Sequence, residues 1–153
     1  MPATQNVQDA LDAAGAAGAA RTLPQSTRTA AEAAEALGCE VGAIANSLIF
    51  VADDRPLLVL TSGAHRVDVE ALATRLGRGR IRRAKPDEVR AATGQAIGGV
   101  SPVGHPAPVE TVVDEALRRY PQLWAAAGTP NSVFPTSFDE LVRITGGAVV
   151  QVD

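Results

Sequence analysis

Two apolar runs, Ile44 to Val51 and Leu57 to Thr61, lie on either side of the polar stretch Asp53-Asp54-Arg55-Pro56. Strong β formers flanking a polar turn are expected to pair as a β-hairpin. Aromatic residues make up only 3% of the 153 residues, against 46% hydrophobic residues in all. The core around such a hairpin must therefore be built mostly from Ala, Val, Leu and Ile. A chain of this length suits one domain with a real core, without disulfides or metal staples.

Helical signals surround the hairpin. Val7, Leu11 and Ala14 recur at helical spacing over residues 5 to 14, and Gly15 and Gly18 follow. Thr29 and Glu32 have the spacing of a capping box, which predicts a helix through Leu37 stopped by Gly38. Val67 to Leu76 reads as a helix closed by Gly77. Pro86, Asp87 and Glu88 suit a helix N-terminus, and that helix ends at Gly94. Ser137 and Glu140 repeat the capping-box spacing, predicting a helix to about Ile144. Short strands are expected at Ile81 to Ala84, Thr111 to Asp114, Trp124 to Gly128, Asn131 to Phe134 and Ala148 to Val152. Thr22 to Thr27 reads as a connector. Strands and helices without a regular βαβ repeat predict an α+β domain with a mixed sheet, spanning residues 1–153 as one unit.

Charge and cysteine content exclude several classes. The net charge of −3 argues against bulk binding of nucleic acid by phosphate neutralisation. One local basic run, Arg75, Arg78, Arg80, Arg82, Arg83 and Lys85, contains no acid and is either plain solvated surface or a nucleic-acid contact. Cys39 is the single cysteine, so no intramolecular disulfide is possible, which fits a reducing cytoplasm. Its expected role is packing at a helix end. The N-terminus lacks the basic region of a signal peptide, and no stretch approaches a membrane span. A soluble cytoplasmic protein is expected.

The segment Ile97-Gly-Gly-Val-Ser-Pro-Val-Gly-His-Pro106 holds three glycines and two prolines. Glycine permits positive φ and close approach by a ligand, while proline fixes φ. Main-chain amides in such a loop can point at a carbonyl oxygen or a ribose. A tight structural corner is the alternative reading. Of the two histidines, His65 suits a surface or capping role, and His105 stands directly after the glycine loop, where an imidazole can exchange protons near neutral pH. No nucleophile elbow, phosphate-binding loop or metal motif is present, and two histidines with one cysteine make a dedicated zinc site improbable.

Gly98-Gly99-Val100-Ser101-Pro102-Val103-Gly104 resembles the GGxxPxG signature of the YbaK/ProX family of aminoacyl-tRNA editing domains, which includes the editing insertion of bacterial prolyl-tRNA synthetases. Thr27-Arg28-Thr29-Ala30, the strand Ile44 to Val51, Ser62-Gly63, Asp114 and Ala127-Gly128-Thr129 also resemble family positions, in order. The resemblance covers roughly residues 5 to 152. It implies an α+β fold around a curved mixed sheet with surrounding helices, and a metal-free and cofactor-free deacylase that hydrolyses the ester of misacylated tRNA. The chain is then expected to meet the tRNA acceptor end, with a synthetase as a further partner, as monomer or homodimer. The candidate catalytic residues are then Asn46 and Gly99, with His105 from its place after the glycine loop, and the candidate substrate-binding residues are Thr27, Ser47, Ser62, Gly98, Ser101, Pro102, Gly104, Asp114 and Gly128.

One departure stands out. Family members typically carry a lysine in the hairpin strand, and here Asn46 takes its place in Ala45-Asn46-Ser47-Leu48. Asn donates hydrogen bonds without charge and with shorter reach. Two other readings therefore stay open: a non-catalytic module that binds aminoacyl-tRNA or a synthetase, and a hydrolase of another small ester.

Overall fold

A computed structural model describes residues 2–153. Helix α1 (Pro2–Ala13) leads through a two-residue strand β1 (Arg21–Thr22) to α2 (Ala30–Leu37). The hairpin β2 (Ile44–Ala52) and β3 (Arg55–Ser62) follows, then α3 (Val69–Leu76), β4 (Ile81–Arg83) and α4 (Pro86–Thr93). The C-terminal part holds β5 (Glu110–Asp114), β6 (Leu123–Ala126), β7 (Ser132–Thr136), α5 (Phe138–Thr145) and β8 (Ala148–Val150). Single 3-10 turns at Val41–Ala43 and Glu115–Arg119, like β1, have no counterpart in the sequence-based expectation.

The caps act as the sequence predicts. Thr29 accepts a hydrogen bond from the Glu32 amide, Ser137 from the Glu140 amide, and α2, α3, α4 and α5 each end on a left-handed glycine. The hairpin turn is tighter than expected. Asp53 and Asp54 alone form it, with φ of 49° and 69°, while Arg55 and Pro56 belong to β3 opposite Ala52 and Val51. Two successive positive φ values match the twist of the flanking strands. The Asp53 carboxylate also accepts from the Gly79 and Arg80 amides at 3.2 and 3.1 Å, tying the turn to the start of β4.

Eight strands form one mixed sheet in the order β1-β7-β6-β2-β3-β5-β8, with β4 also paired to β2. The α+β arrangement with a mixed sheet is thus present, with five α-helices around it. β3 lies between β2 and β5, and Leu57 to Ser62 are all buried. Alternation sends Leu58 and Leu60 to one face with Val7, Leu11, Phe134 and Leu141. It sends Leu57 and Val59 to the other face with Phe50, Leu72 and Val112. Both faces being covered explains why β3 reads as a continuous apolar run rather than an alternating one. A third, smaller cluster packs Ala33 and Ala34 of α2 on Ile44, with Trp124 at its margin.

Leu60 is fully buried at the centre of the larger cluster. Truncation there leaves a cavity, and Leu60→Ala is expected to lower unfolding free energy by about 2–5 kcal/mol in urea denaturation.

Candidate functional site

The outer edge of β2 has two different partners. At its start Ile44 and Ala45 pair in parallel with Trp124 and Ala125 of β6. At its end Phe50, Val51 and Ala52 pair antiparallel with β4. Between them Asn46 to Ile49 keep β3 on the inner edge but have no strand on the outer edge. The Gly63 amide donates to the Ile44 carbonyl on the inner side, and the Ala84 amide donates to the Ile49 carbonyl on the outer side. Main-chain groups alternate in direction along a strand, so the odd-numbered residues face outward. The ladder leaves the Ser47 amide, the Ser47 carbonyl and the Ile49 amide facing the gap without a strand partner.

A cleft of about 300 Å³ occupies this gap. Its walls include Asn46, Ser47 and Ile49 from β2, Thr27, Arg28 and Ala33 from the α2 region, Arg83 and Ala84 from β4, Ile97 and Gly98 from the glycine loop, and Trp124 and Ala125 from β6. Ser47 Oγ is buried there with no hydrogen-bond partner. Such an orphan costs about 1–3 kcal/mol unless a ligand or water satisfies it.

The loops that close the cleft meet at one corner. The Thr27 amide and hydroxyl both donate to the Pro130 carbonyl, at 2.6 and 3.1 Å. A Cβ at Gly99 would lie 2.5 Å from the Thr129 carbonyl carbon, so Gly99 permits contact between the glycine loop and the 129–130 backbone. Gly98, at φ +94°, carries the stem of Arg28, whose Cγ would be 2.6 Å from an added Cβ. Gly98 thus meets the cleft, whereas Gly99 supports it from behind.

The remaining members of the glycine loop face inward. The Ser101 amide donates to Gln95 Oε1 at 2.7 Å, and Ser101 Oγ accepts from the Val103 amide. Ser101 and Pro102 are buried away from the cleft. Gly104, at φ +83°, packs on the Val7 backbone of α1. His105 Nε2 lies 2.8 Å from the Ser101 carbonyl, on the side of the loop facing α1 and outside the cleft. Burial holds its pKa below the ordinary imidazole value, against the opposing effect of that carbonyl.

Ser62 and Asp114 form a separate buried pair. Asp114 accepts from the Ser62 amide at 2.9 Å and the Ala116 amide at 3.0 Å, and Ser62 Oγ donates to the Gly42 carbonyl. His65 Nδ1 lies 3.1 Å from Asp114 Oδ2 but lacks hydrogen-bond geometry. This group borders a second hollow with Arg118, Arg119 and Asp153, not the cleft. Gly128, at φ +103°, sits against the Ala3 backbone. The structure therefore gathers Thr27, Asn46, Ser47 and Gly98, and places Ser62, Gly99, Ser101, Pro102, Gly104, His105, Asp114 and Gly128 off the cleft wall.

The sequence reading named Arg28 only within the Thr27-to-Ala30 motif and Arg83 only within the basic run, and gave neither of them nor Trp124 a place at the site. The basic run divides in three dimensions. Arg78 pairs with Glu110, Arg75 donates to the Gln151 and Asp153 carbonyls, and Arg82 grips Glu88 with two 2.9 Å bonds. The Arg82 guanidinium and the Lys85 amide hold the Glu88 carboxyl down at about 2. Arg83 alone of the run reaches the cleft, resting over the Phe50 ring at 5.6 Å. Neither Arg28 nor Arg83 has an ion-pair partner among the described residues. Arg21 lies over Trp124 at 5.1 Å, beside the cleft. Among the described residues no cluster of three His, Cys, Asp or Glu side chains is placed to hold a metal, and no helix is long and apolar enough to cross a membrane.

Two outcomes follow from this placement. Gly99→Ala must push the 129–130 corner away and is expected to cost about 1–3 kcal/mol in denaturant unfolding. Burial disfavours the charged form of His105 in the fold, so the unfolded chain takes up its proton first as pH falls. Stability should drop as pH passes below about 6.5. His105→Gln should flatten that part of a stability–pH profile, measured by urea midpoints, through loss of this one contribution.

Comparison with known proteins shows the family. Residues 24–144 match the model of the aminoacyl-tRNA editing domain. A solved structure described as a candidate trans-editing enzyme for prolyl tRNA synthetase superposes with a TM-score of 0.93 at 45% identity, covering 100% of this chain and 98% of that one. YwhH of Bacillus subtilis is 32% identical over 117 residues, which is 76% of this chain and 74% of YwhH. A candidate Cys-tRNA(Pro)/Cys-tRNA(Cys) deacylase of Enterococcus faecalis, EbsC, is 25% identical over 125 residues, or 81% and 76% of the two chains. The chain belongs to the family of aminoacyl-tRNA editing domains.

Proposed function

We propose that this protein is a trans-acting deacylase that frees a wrongly attached small amino acid from tRNA, with tRNA-Pro as the first candidate. The observation that carries this reading is the single cleft joining Thr27, Asn46, Ser47 and Gly98 to two unpaired cations, Arg28 and Arg83. The names of the solved relative and of EbsC point the same way. A synthetase separates small side chains by only about 1–3 kcal/mol per methylene, so accuracy requires a second, hydrolytic site.

The chemistry is attack of water on the ester carbonyl. The bond between the carbonyl carbon and the ribose oxygen breaks, one proton of the attacking water goes to the ribose oxygen and the other to solvent, and the amino acid leaves as its carboxylate. A neighbouring ribose hydroxyl can relay the proton bound for the ribose oxygen. Ala45, Ile49, Val89, Val100, Ala125 and Val133 give the cleft an apolar lining suited to a small side chain. Arg28 and Arg83 are placed for the phosphates of the acceptor end, where a guanidinium makes forked contacts.

Asn46 favours one further reading. By the family resemblance it stands in the place of a lysine, and it brings no charge to the cleft, so a binding module without turnover is the alternative. Amino-acid release from mischarged tRNA, led by Ala-tRNA-Pro and Cys-tRNA-Pro, separates the two. Turnover by the wild type supports the deacylase. Binding without turnover, with a gain in Asn46→Lys, identifies the module instead.

Loss of a charged hydrogen bond costs about 1.5–3 kcal/mol, so Arg28→Ala and Arg83→Ala should each raise KM by about tenfold or more. The salt dependence of kcat/KM should become shallower in each variant.

A further inference from the structure

The gap in the sheet has the shape of a missing residue. Along the outer edge of β2 it presents a carbonyl at Ser47 and then an amide at Ile49, both without a strand partner. In a parallel ladder, one residue of the neighbouring strand bonds just such a pair, donating its nitrogen to one group and accepting at its carbonyl from the next. An aminoacyl ester has that pattern, an α-ammonium and a carbonyl separated by one carbon.

Resting on the deacylase reading, we propose that the aminoacyl group docks as a one-residue strand opposite Leu48, its α-ammonium donating to the Ser47 carbonyl and its ester carbonyl accepting from the Ile49 amide. The cleft supplies the room, bounded by Ala84 at one end and Ala125 at the other. The buried, unpartnered Ser47 hydroxyl lies beside this line and is a second donor toward the bound group. When water attacks, negative charge grows on the carbonyl oxygen, and the Ile49 amide is a fixed donor aimed at it. The recognition depends on backbone, so it is independent of a charged residue at position 46. It also selects α-amino esters over esters lacking the amine.

The test uses the full-length protein with two paired ligands. The first pair is tRNA acylated with alanine and the same tRNA acylated with propionate. The second is 3′-alanylamido-3′-deoxyadenosine and its propionyl counterpart, which cannot be hydrolysed under these conditions. A variant carries the α-hydroxy acid equivalent of isoleucine at position 49, installed by nonsense suppression, which removes the amide and keeps the side chain. The same replacement at Val51, whose amide faces β4, controls for backbone change.

The docking predicts that, after division by each ester's spontaneous hydrolysis rate, propionyl-tRNA is hydrolysed at least about tenfold more slowly than the alanyl form, as expected for a lost charged bond. It predicts that kcat falls about 100-fold or more with the ester at 49, as for a lost oxyanion donor, and stays near wild type with the ester at 51. Equal rates for the two acyl groups, or an unchanged kcat with the ester at 49, overturn it. If the wild type binds the adenosine analogue without releasing amino acid, the deacylase reading fails and binding decides the docking. Weaker binding of the propionyl analogue and by the variant at 49 then upholds it; equal binding overturns it. No binding of either analogue overturns both.

Discussion

The outer edge of β2 is shared between two strands that do not meet, and the site follows from that. β6 runs parallel along the first two residues, and β4 runs antiparallel along the last three. No one strand can satisfy both directions, so the outward groups from the Ser47 amide to the Ile49 amide are left without a strand on that side. Elsewhere in a folded core an open edge is a liability that proteins cover or charge. Here the α2 region, the glycine loop and Arg83 surround it and turn it into a cleft. Unsatisfied polar groups are costly in a buried place, and a ligand that supplies the missing partners gains what the fold forgoes.

The glycine loop supports this arrangement more than it lines it. Gly98 alone of the loop's glycines faces the cleft, under the stem of Arg28. Gly99 lets the loop touch the 129–130 backbone, the corner that also fixes Thr27 through the Pro130 carbonyl. Ser101 and Gln95 close the loop on itself, and Gly104 rests on α1. A family signature of this kind can therefore consist largely of residues that hold a wall in place. Asp114 is of the same type: its carboxylate organises the end of β3 and the turn at Glu115–Arg119 rather than meeting the cleft.

Much of the fold was legible because local chemistry and global packing agree. The capping boxes at Thr29 and Ser137, the stop glycines and the hairpin runs each predict what forms. The family was legible from the ordered motifs. Less could be read of the site, for a physical reason. Arg28, Arg83 and Trp124 reach one cleft from segments far apart in the chain, and no spacing rule links them. The split of β2 is a matter of which strands pair where, and neither β6 nor β4 carries a mark of its register. His105 adjoins the glycine loop in sequence, yet the loop's fold turns it toward α1. Asn46 was visible from sequence, but only the structure shows the main-chain groups of Ser47 and Ile49 beside it that lack a strand partner.

The most direct test of the central claim is a map of amide chemical shifts by 15N–1H NMR during titration with a non-hydrolysable aminoacyl-adenosine amide. Binding in the gap predicts the largest changes at Ser47, Leu48, Ile49 and Gly98, with a smaller change at the indole of Trp124. Changes centred on Gly104 and His105, or on Asp114 and Ala116, with Ser47 and Ile49 unmoved, would contradict it.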